Sequence, residues 1–168
     1  ASTTKRMVVY HYKTKEALYM LVLEHVYRGI RQHELELDLS SLPPAEAIVK
    51  LVEASFDFQV SHPEFIRIVS TEKMLRGRFI RQSTSIREIN KTALTLLEDI
   101  LERGKQSHLF KEDAQARDVH RLISSLCVHQ VANQYTFGAL FENPDEVDLQ
   151  TAHYRQLAVQ VALRYVMK

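Results

Sequence analysis

The 168-residue sequence has one cysteine, four glycines, four prolines and no tryptophan. A single cysteine cannot form an internal disulfide, and so few glycines and prolines disfavour a turn-rich all-β protein. No apolar run reaches the roughly 18 residues that a membrane-spanning helix needs. These absences predict a cytoplasmic protein without a membrane partner, and the chain is long enough to bury a core of its own.

An excess of charge of either sign is also missing. Lys and Arg number 22 against 21 Asp and Glu, which gives a net charge of +1 at pH 7. The overall balance therefore predicts neither a general nucleic-acid binder nor a membrane-surface binder. Basic residues are concentrated locally, in residues 5–15 and in residues 73–91. For the second run we expect a solvated helix face, with attraction of an anionic effector or of DNA as the alternative.

Strong helix formers dominate what is present, and apolar residues recur with helical periodicity. Thr14 is the predicted N-cap of a long helix that continues to about Leu37. Pro44 lies in the first turn of a second helix that ends near His62, and Pro63 begins a third. The sequence therefore predicts an all-α protein.

Three further helices are predicted in the second half. One begins at Arg78 with Gly104 as its C-terminal cap, one is capped by Asp113, and the last begins at about Leu149. The last two carry apolar residues on more than one face. We expect them to form a homodimer interface of four helices, through residues around 113–141 and 149–167. The alternative is a larger core within one chain.

The opening stretch TKRMVVYHYKTKEALYMLVLE resembles the end of the DNA-binding domain of the tetracycline-repressor (TetR) family. There, a short recognition helix ends in an aromatic residue, a histidine and another aromatic, followed by a basic linker. The later segments HPEFIRIVSTEKMLRG and LISSLCVHQVANQYTFGALF resemble the family's regulatory half. The resemblance implies that residues 1–14 are a remnant of a helix-turn-helix domain whose first helices precede Ala1. Residues 15–168 are then the linking helix with the ligand-binding and dimerisation domain.

The same stretch supplies candidate DNA contacts. A short helix with Thr4 near its start directs backbone N–H groups and a positive dipole end towards an anion, which suits entry into a major groove. Arg6 is the first candidate for pairing with guanine edges. Neighbouring side chains reach bases or phosphates, and the resemblance implies phosphate contacts for the last three residues of this set: Thr3, Thr4, Lys5, Arg6, Tyr10, His11 and Lys15. The alternative is a frayed basic N-terminus.

A regulator of this type needs a ligand cavity. The candidates are polar side chains within apolar helix stripes and the aromatic residues that accompany them: Phe56, Phe65, Glu72, Asn90, Gln130, Asn133 and Tyr135. For Glu72 the alternative is an ion pair with Arg76 one turn later. For Gln130 and Asn133 it is hydrogen bonding across the dimer interface.

Taken together, these patterns predict a DNA-binding transcriptional regulator. We expect a repressor on double-stranded operator DNA, in which an unknown small-molecule effector changes the spacing of two recognition helices. The alternative is a helical homodimeric interaction module without a ligand. An enzyme is not expected, and neither is a metal or cofactor, because the histidines are scattered and no phosphate loop or nucleophile elbow occurs. Cys127 lies within an apolar helix and is expected to be an inert packing residue.

Overall fold

The computed structural model describes residues 10–141 and 147–168. Within them, residues 10–12 are helical and six longer helices follow: α1 (Lys15–Leu35), α2 (Pro44–Ser61), α3 (Pro63–Met74), α4 (Thr84–Gln106), α5 (Ala116–Phe141) and α6 (Val147–Val166). Short 3-10 turns at Leu39–Ser41 and Ile80–Gln82 lie in the connectors. These residues contain no β-strand, and the predicted all-α class is confirmed. None of these helices is apolar enough over a sufficient length to cross a bilayer.

The first three helices begin as the sequence predicts. The Thr14 hydroxyl accepts a hydrogen bond from the Ala17 N–H at 3.0 Å and so satisfies a free donor at the start of α1. Pro44 and Pro63 occupy the first turns of α2 and α3, where the missing proline N–H costs nothing. The observed ends of α1 and α2 lie within two residues of the predicted ones.

The predicted helix start at Arg78 is wrong. The backbone turns at Gly77, whose φ of 69° lies in the left-handed region that glycine favours. The Glu72 carboxylate then accepts hydrogen bonds from the two N–H groups that follow Arg78, at 2.7 and 3.2 Å. Helix α4 begins only at Thr84, and the Ser83 hydroxyl caps it. In the connector between α3 and α4, hydrogen bonds to the Glu72 side chain therefore replace the first turn of the helix that was predicted from Arg78.

Two predicted caps are also wrong, and the buried Phe110 explains both. Helix α4 continues past Gly104, and the Phe110 ring packs where a Cβ of residue 104 would lie. Asp113 does not cap α5, which begins at Ala116. Phe110 and Ala114 are buried, so the connector between α4 and α5 turns inwards before the helix starts.

Helices α2, α4, α5 and α6 share the main hydrophobic core. Its centre contains fully buried Phe56, Ile100 and Val119, and α6 contributes Ala158 and Ala162. The small side chains of α6 allow close packing against α2 and α5. A second, smaller cluster of Ile30, Phe65 and Ile66 joins α1 to α3. Helix α1 therefore packs at the side of the main core, against α2, α3 and α4.

We predict that Gly104→Ala lowers the midpoint of thermal unfolding. An added Cβ would lie 1.9 Å from a carbon of the fully buried Phe110 ring. Overpacking of this kind costs about 1–3 kcal/mol, which exceeds the gain of about 1 kcal/mol from replacing glycine by alanine in a helix.

Gly29→Ala is the matched control, because the nearest atom to its added Cβ is Phe58 Cζ at an ordinary 3.7 Å. Differential scanning calorimetry should find Gly29→Ala as stable as wild type or more stable by up to about 1 kcal/mol. Equal midpoints for the two variants would contradict the tight contact at Gly104.

Candidate functional site

An open cleft of about 870 Å³ lies between α1, α3, α4 and α5. This volume lies within the range of small-molecule sites, about 300–1,000 Å³. Tyr27 on α1 and Phe65 on α3 form part of its wall, with ring centroids 5.8 Å apart and an edge-on orientation. Val69, Leu94 and Val128 add aliphatic surface. The cleft therefore offers an apolar wall to a ligand.

A narrow pocket that shares Arg31 with the cleft forms its inner end and contains a buried ion pair. Arg31 and Glu34 are each 7% exposed, and Nη1 of Arg31 lies 3.0 Å from Oε2 of Glu34. Nevertheless, Nε and Nη1 of Arg31 have no hydrogen-bond partner in the described part of the chain. The contact is thus an ion pair by distance, but its angle is not that of a hydrogen bond.

Gln59 on α2 also has an unsatisfied buried atom at this end of the cleft. Its side chain is 4% exposed, and its Oε1 accepts no hydrogen bond from the residues that the structure describes. Arg31, Gln59 and His120 line both the open cleft and its narrow inner end, which measures about 20 Å³. Donors and an acceptor are therefore left without partners in the same small region.

Burial controls the ionisation of these groups. It raises the pKa of Glu34 to about 7, although the nearby Arg31 guanidinium acts in the opposite direction. Burial lowers the pKa of Arg31, with Glu34 opposing the shift, and it lowers the pKa of His120, with Arg31 adding to the effect. The positive charge of Arg31 at the inner end is thus only partly neutralised by Glu34.

The outer part of the cleft is basic. Lys73 on α3 and Arg117 and Arg121 on α5 line it, and the lining residues among those described include no Asp or Glu. Arg121 approaches Asp118 at 3.4 Å, but both side chains are exposed and such a pair contributes little to stability. The field at the entrance therefore favours anions.

Three of the predicted pocket residues, Phe65, Asn90 and Asn133, line this cleft. Gln130 and Tyr135 lie instead at a neighbouring groove between α3 and α5. The prediction for Phe56 is corrected, because its side chain is 1% exposed within the main core.

Glu72, the remaining candidate, lies at a separate pocket and has a structural role. Its carboxylate accepts hydrogen bonds from the N–H groups of Phe79 and Ile80 and from the Tyr19 hydroxyl, the last at 3.3 Å. These partners replace the ion pair with Arg76 that was the alternative. Glu72 thereby joins α1 to the connector between α3 and α4.

Sequence reasoning missed Arg31, Gln59 and His120. A signal was available for Arg31, which lies one turn after Tyr27 on the inward face of α1, where an apolar residue is expected. The same signal was available for Gln59, which follows Phe56 by three residues on the inner face of α2. No comparable signal marked His120.

The candidate DNA contacts are only partly described. Thr3, Thr4, Lys5 and Arg6 lie outside the described residues. Tyr10 is 83% exposed, and His11 and Lys15 are also exposed. Lys13, with a φ of 60°, forms the turn between residues 10–12 and α1. Of the three described candidates, Lys15 therefore lies at the N-terminal end of α1, and Tyr10 and His11 lie in the short helical segment before it.

Two other predicted properties concern Cys127 and metals. Cys127 is buried in the main core, and burial raises the pKa of its thiol to about 12, which disfavours the reactive thiolate. Among the side chains that the structure describes, in residues 10–141 and 151–168, no group of three or more His, Cys, Asp or Glu residues is placed to hold a metal ion.

Comparison with protein families decides the relationship. Residues 44–162 match the family described as tetracyclin repressor-like, C-terminal domain. The chain belongs to the tetracycline-repressor-like (TetR) family. The HTH-type transcriptional repressor NicS of Pseudomonas putida is 34% identical over 139 residues, which cover 83% of this chain. The match spans 66% of the length of NicS.

Solved structures of other bacterial regulators share the fold. A bacterial regulatory protein in the tetR family from Rhodococcus aligns with a TM-score of 0.71 at 19% identity, over 98% of this chain and 80% of the other. The ketosteroid transcriptional regulator KstR2 of Mycobacterium tuberculosis aligns with a TM-score of 0.69 at 18% identity, over 98% and 79%. In this TetR-like chain, the cleft lies within the helical bundle that these structures have in common.

We predict that Glu34 titrates near pH 7. Because its folded-state pKa lies above the ordinary value of 4.5, the folded protein keeps a proton that the unfolded chain releases. The contribution of this carboxyl to stability therefore falls as pH rises through that interval. Relative to Glu34→Gln, wild type should lose roughly 2–3 kcal/mol of unfolding free energy between about pH 5 and pH 8.

Carbon-13 NMR of the glutamate side chains gives the pKa directly, and urea denaturation at each pH gives the stability. Glu98→Gln, at an exposed position on α4, is the control and should keep the wild-type pH dependence. A Glu34 signal that titrates with the exposed glutamates would disprove the desolvated environment.

Proposed function

We propose that the complete protein is a ligand-responsive, DNA-binding transcriptional repressor that acts as a homodimer. The main observation is the position of α1. Its second half supplies Tyr27, Ile30 and Arg31 to the cleft, and its first turn contains Lys15, next to residues 10–12. One helix thus joins a ligand-sized cleft to the segment that resembles the family's DNA-binding end. The name of the relative NicS, an HTH-type transcriptional repressor, supports this assignment.

Residues 1–14 belong to the DNA-binding domain in this proposal, and residues 15–168 form the linking helix with the regulatory domain. Tyr10, His11 and Lys15 contact phosphates, which their exposure permits. Thr3, Thr4 and Lys5 contact bases or phosphates, and Arg6 reads a base edge.

The effector acts by changing the position of α1. A ligand shifts a conformational equilibrium only if it binds one arrangement more tightly than the other. A ligand that touches Tyr27 and Arg31 on α1 as well as residues of α3 and α5 satisfies this requirement. Its contacts depend on the distance between α1 and those two helices. A continuous helix of 21 residues, roughly 30 Å long, then carries the displacement to Lys15.

A second copy of the chain covers the outer side of α5 and α6. Leu122 on α5 and Leu157 and Val161 on α6 are only half-buried, and they belong to neither described core cluster. The Tyr165 hydroxyl donates to the Asp118 carboxylate at 3.3 Å, which holds the two helices side by side. Pairing of two such surfaces gives the four-helix interface expected from the sequence.

We predict that Lys15→Ala in the complete protein weakens binding to every duplex and lowers the slope of log affinity against log salt by about 1, because one phosphate contact is lost. Arg6→Ala should in addition reduce the preference for a selected sequence over random duplex. Fluorescence anisotropy over a salt series measures both effects on a site enriched from a random library.

Lys50→Ala removes an exposed lysine from α2 and should leave affinity and salt slope unchanged. If Arg6→Ala lowers specific and random binding equally, the base-reading role of Arg6 is refuted. If Lys15→Ala leaves affinity and salt slope unchanged, as Lys50→Ala should, the phosphate contact of Lys15 is refuted.

We predict that Val161→Glu converts the dimer to a folded monomer, because a buried unpaired carboxylate at the centre of an apolar interface is strongly unfavourable. Sedimentation velocity gives the mass, and circular dichroism verifies the helical content. Val60→Glu makes the same change at a position on α2 that is 41% exposed and should remain dimeric. A Val161→Glu protein that still sediments as a dimer would exclude this surface as the interface.

A further inference from the structure

The cleft contains two buried side chains whose polar atoms lack partners and that face the same small volume. Arg31 is 7% exposed, with Nε and Nη1 unsatisfied, and Gln59 is 4% exposed, with Oε1 unsatisfied. Buried donors and acceptors without a hydrogen bond are costly, even where the charge has an ion-pair partner, so native proteins satisfy such groups with protein, water or ligand atoms. Both side chains line the open cleft as well as its inner end. The unsatisfied atoms themselves have almost no surface open to solvent, so a ligand in the cleft reaches them when the neighbouring side chains move aside.

We infer that the effector is a small organic carboxylate whose oxygens pair with Arg31 and whose apolar body lies against Tyr27 and Phe65. This inference rests on the proposed function, because it specifies the ligand of the same cleft. A planar guanidinium matches the two oxygens of a carboxylate and binds them by charge-assisted hydrogen bonds.

The rest of the cleft agrees with this chemistry. Lys73, Arg117 and Arg121 make the entrance basic, so the field there favours an anion. Among the described residues, the open cleft is lined by no Asp or Glu, and the acid at its inner end is Glu34. A bare inorganic anion would leave the wall of Val69, Leu94 and the two aromatic rings uncovered. An apolar body attached to the carboxylate covers that wall and gains from its burial.

The unsatisfied Oε1 of Gln59 specifies one more feature. It is an acceptor, so it pairs with a hydroxyl or N–H group of the ligand. The effector therefore carries a hydrogen-bond donor on its body as well as the carboxylate. Hydroxyl-substituted aromatic acids are suitable probes for both requirements.

Glu34 provides a readout that a purely structural role of Arg31 would not give. It already lies 3.0 Å from Arg31, and a ligand carboxylate brings a second negative charge to the same cation. The raised pKa of Glu34 allows this carboxyl to take up a proton when the ligand arrives. The other charged or titratable groups that line the cleft are Tyr27, Lys73, Arg117, His120, Arg121 and His129. We expect net proton uptake on binding near neutral pH.

Isothermal titration calorimetry of the complete protein tests the inference with matched pairs of probes: 4-hydroxybenzoate against 4-hydroxybenzamide, and benzoate against benzamide. Each carboxylate should bind at least about tenfold more tightly than its amide, and the hydroxylated acid more tightly than benzoate. Repeating the titration in buffers of different ionisation enthalpy should reveal proton uptake. Inorganic phosphate and acetate separate simple anion binding from recognition of the apolar body, and both should bind weakly.

Arg31→Gln should reduce carboxylate affinity by at least about tenfold and leave the weak amide binding unchanged. Because this substitution leaves Glu34 buried without a cation, the double variant Arg31→Gln with Glu34→Gln provides a neutral version that retains the fold. Gln59→Leu should abolish the advantage of the hydroxylated acid. Arg87→Gln removes one exposed positive charge from α4, outside the cleft, and serves as the control.

The outcomes separate this inference from the proposed function. Amides that bind as tightly as the acids would overturn the carboxylate assignment, as would an absence of binding by all organic probes at millimolar concentration. Binding of phosphate or acetate as tight as that of the organic acids would reduce the cleft to a general anion site and would also overturn it. In each case, the proposed function as a DNA-binding regulator is retained if the protein dimerises and binds DNA sequence-specifically. It is rejected if both properties are absent.

Discussion

The proposed coupling between the cleft and the DNA-binding end depends on the continuity of α1. From Lys15 to Leu35 its backbone hydrogen bonds are unbroken, the Thr14 side chain caps its start, and no proline interrupts it. Such a helix moves as a unit on the scale of a ligand contact. In the proposed mechanism, a shift of the residues that face the cleft in its second half is transmitted to the first turn, where Lys15 lies. This mechanical constraint relates a buried arginine to a surface that resembles a DNA-binding end.

Two polar contacts hold the first half of α1 against the rest of the bundle. The Tyr19 hydroxyl donates to the Glu72 carboxylate, and the Ser83 hydroxyl donates to the Glu24 carboxylate at 2.9 Å. Both partners belong to the end of α3 or to the connector that leads to α4, which contains the turn at Gly77. Lys73, at the end of α3, also lines the cleft. A ligand that changes the distance between α1 and α3 thus acts on the same connector that positions the first half of α1.

The helical class and the N-termini of the first three helices were predictable, because they depend on local signals. A threonine before a helix and a proline in its first turn act within a few residues. The ends of α4 and the start of α5 were not, because they depend on Phe110, which packs on Gly104, and on Glu72, which binds N–H groups seven and eight residues later. Such tertiary contacts outweigh the local signals that predicted Gly104 and Asp113 as helix caps.

The candidate site divides in the same way. Periodicity placed Phe65, Asn90 and Asn133 on inward helix faces, and the structure brings these three to one cleft. It also placed Phe56 inwards, but an inward direction does not distinguish a cavity wall from a filled core. The unpaired atoms of Arg31 and Gln59 belong to two helices that are separate in sequence, and only tertiary packing brings them to the same inner end.

Double electron–electron resonance spectroscopy of the complete dimer tests the central claim, which is that ligand binding in the cleft moves the N-terminal ends of the two α1 helices. A spin label on Glu16→Cys occupies an exposed position in the first turn, and the buried Cys127 with its raised pKa resists labelling. The account predicts that the distance distribution between the two labels shifts when 4-hydroxybenzoate saturates the cleft, and that Arg31→Gln removes the shift at the same concentration. Identical distributions with and without ligand, at a saturation verified by calorimetry, would contradict it.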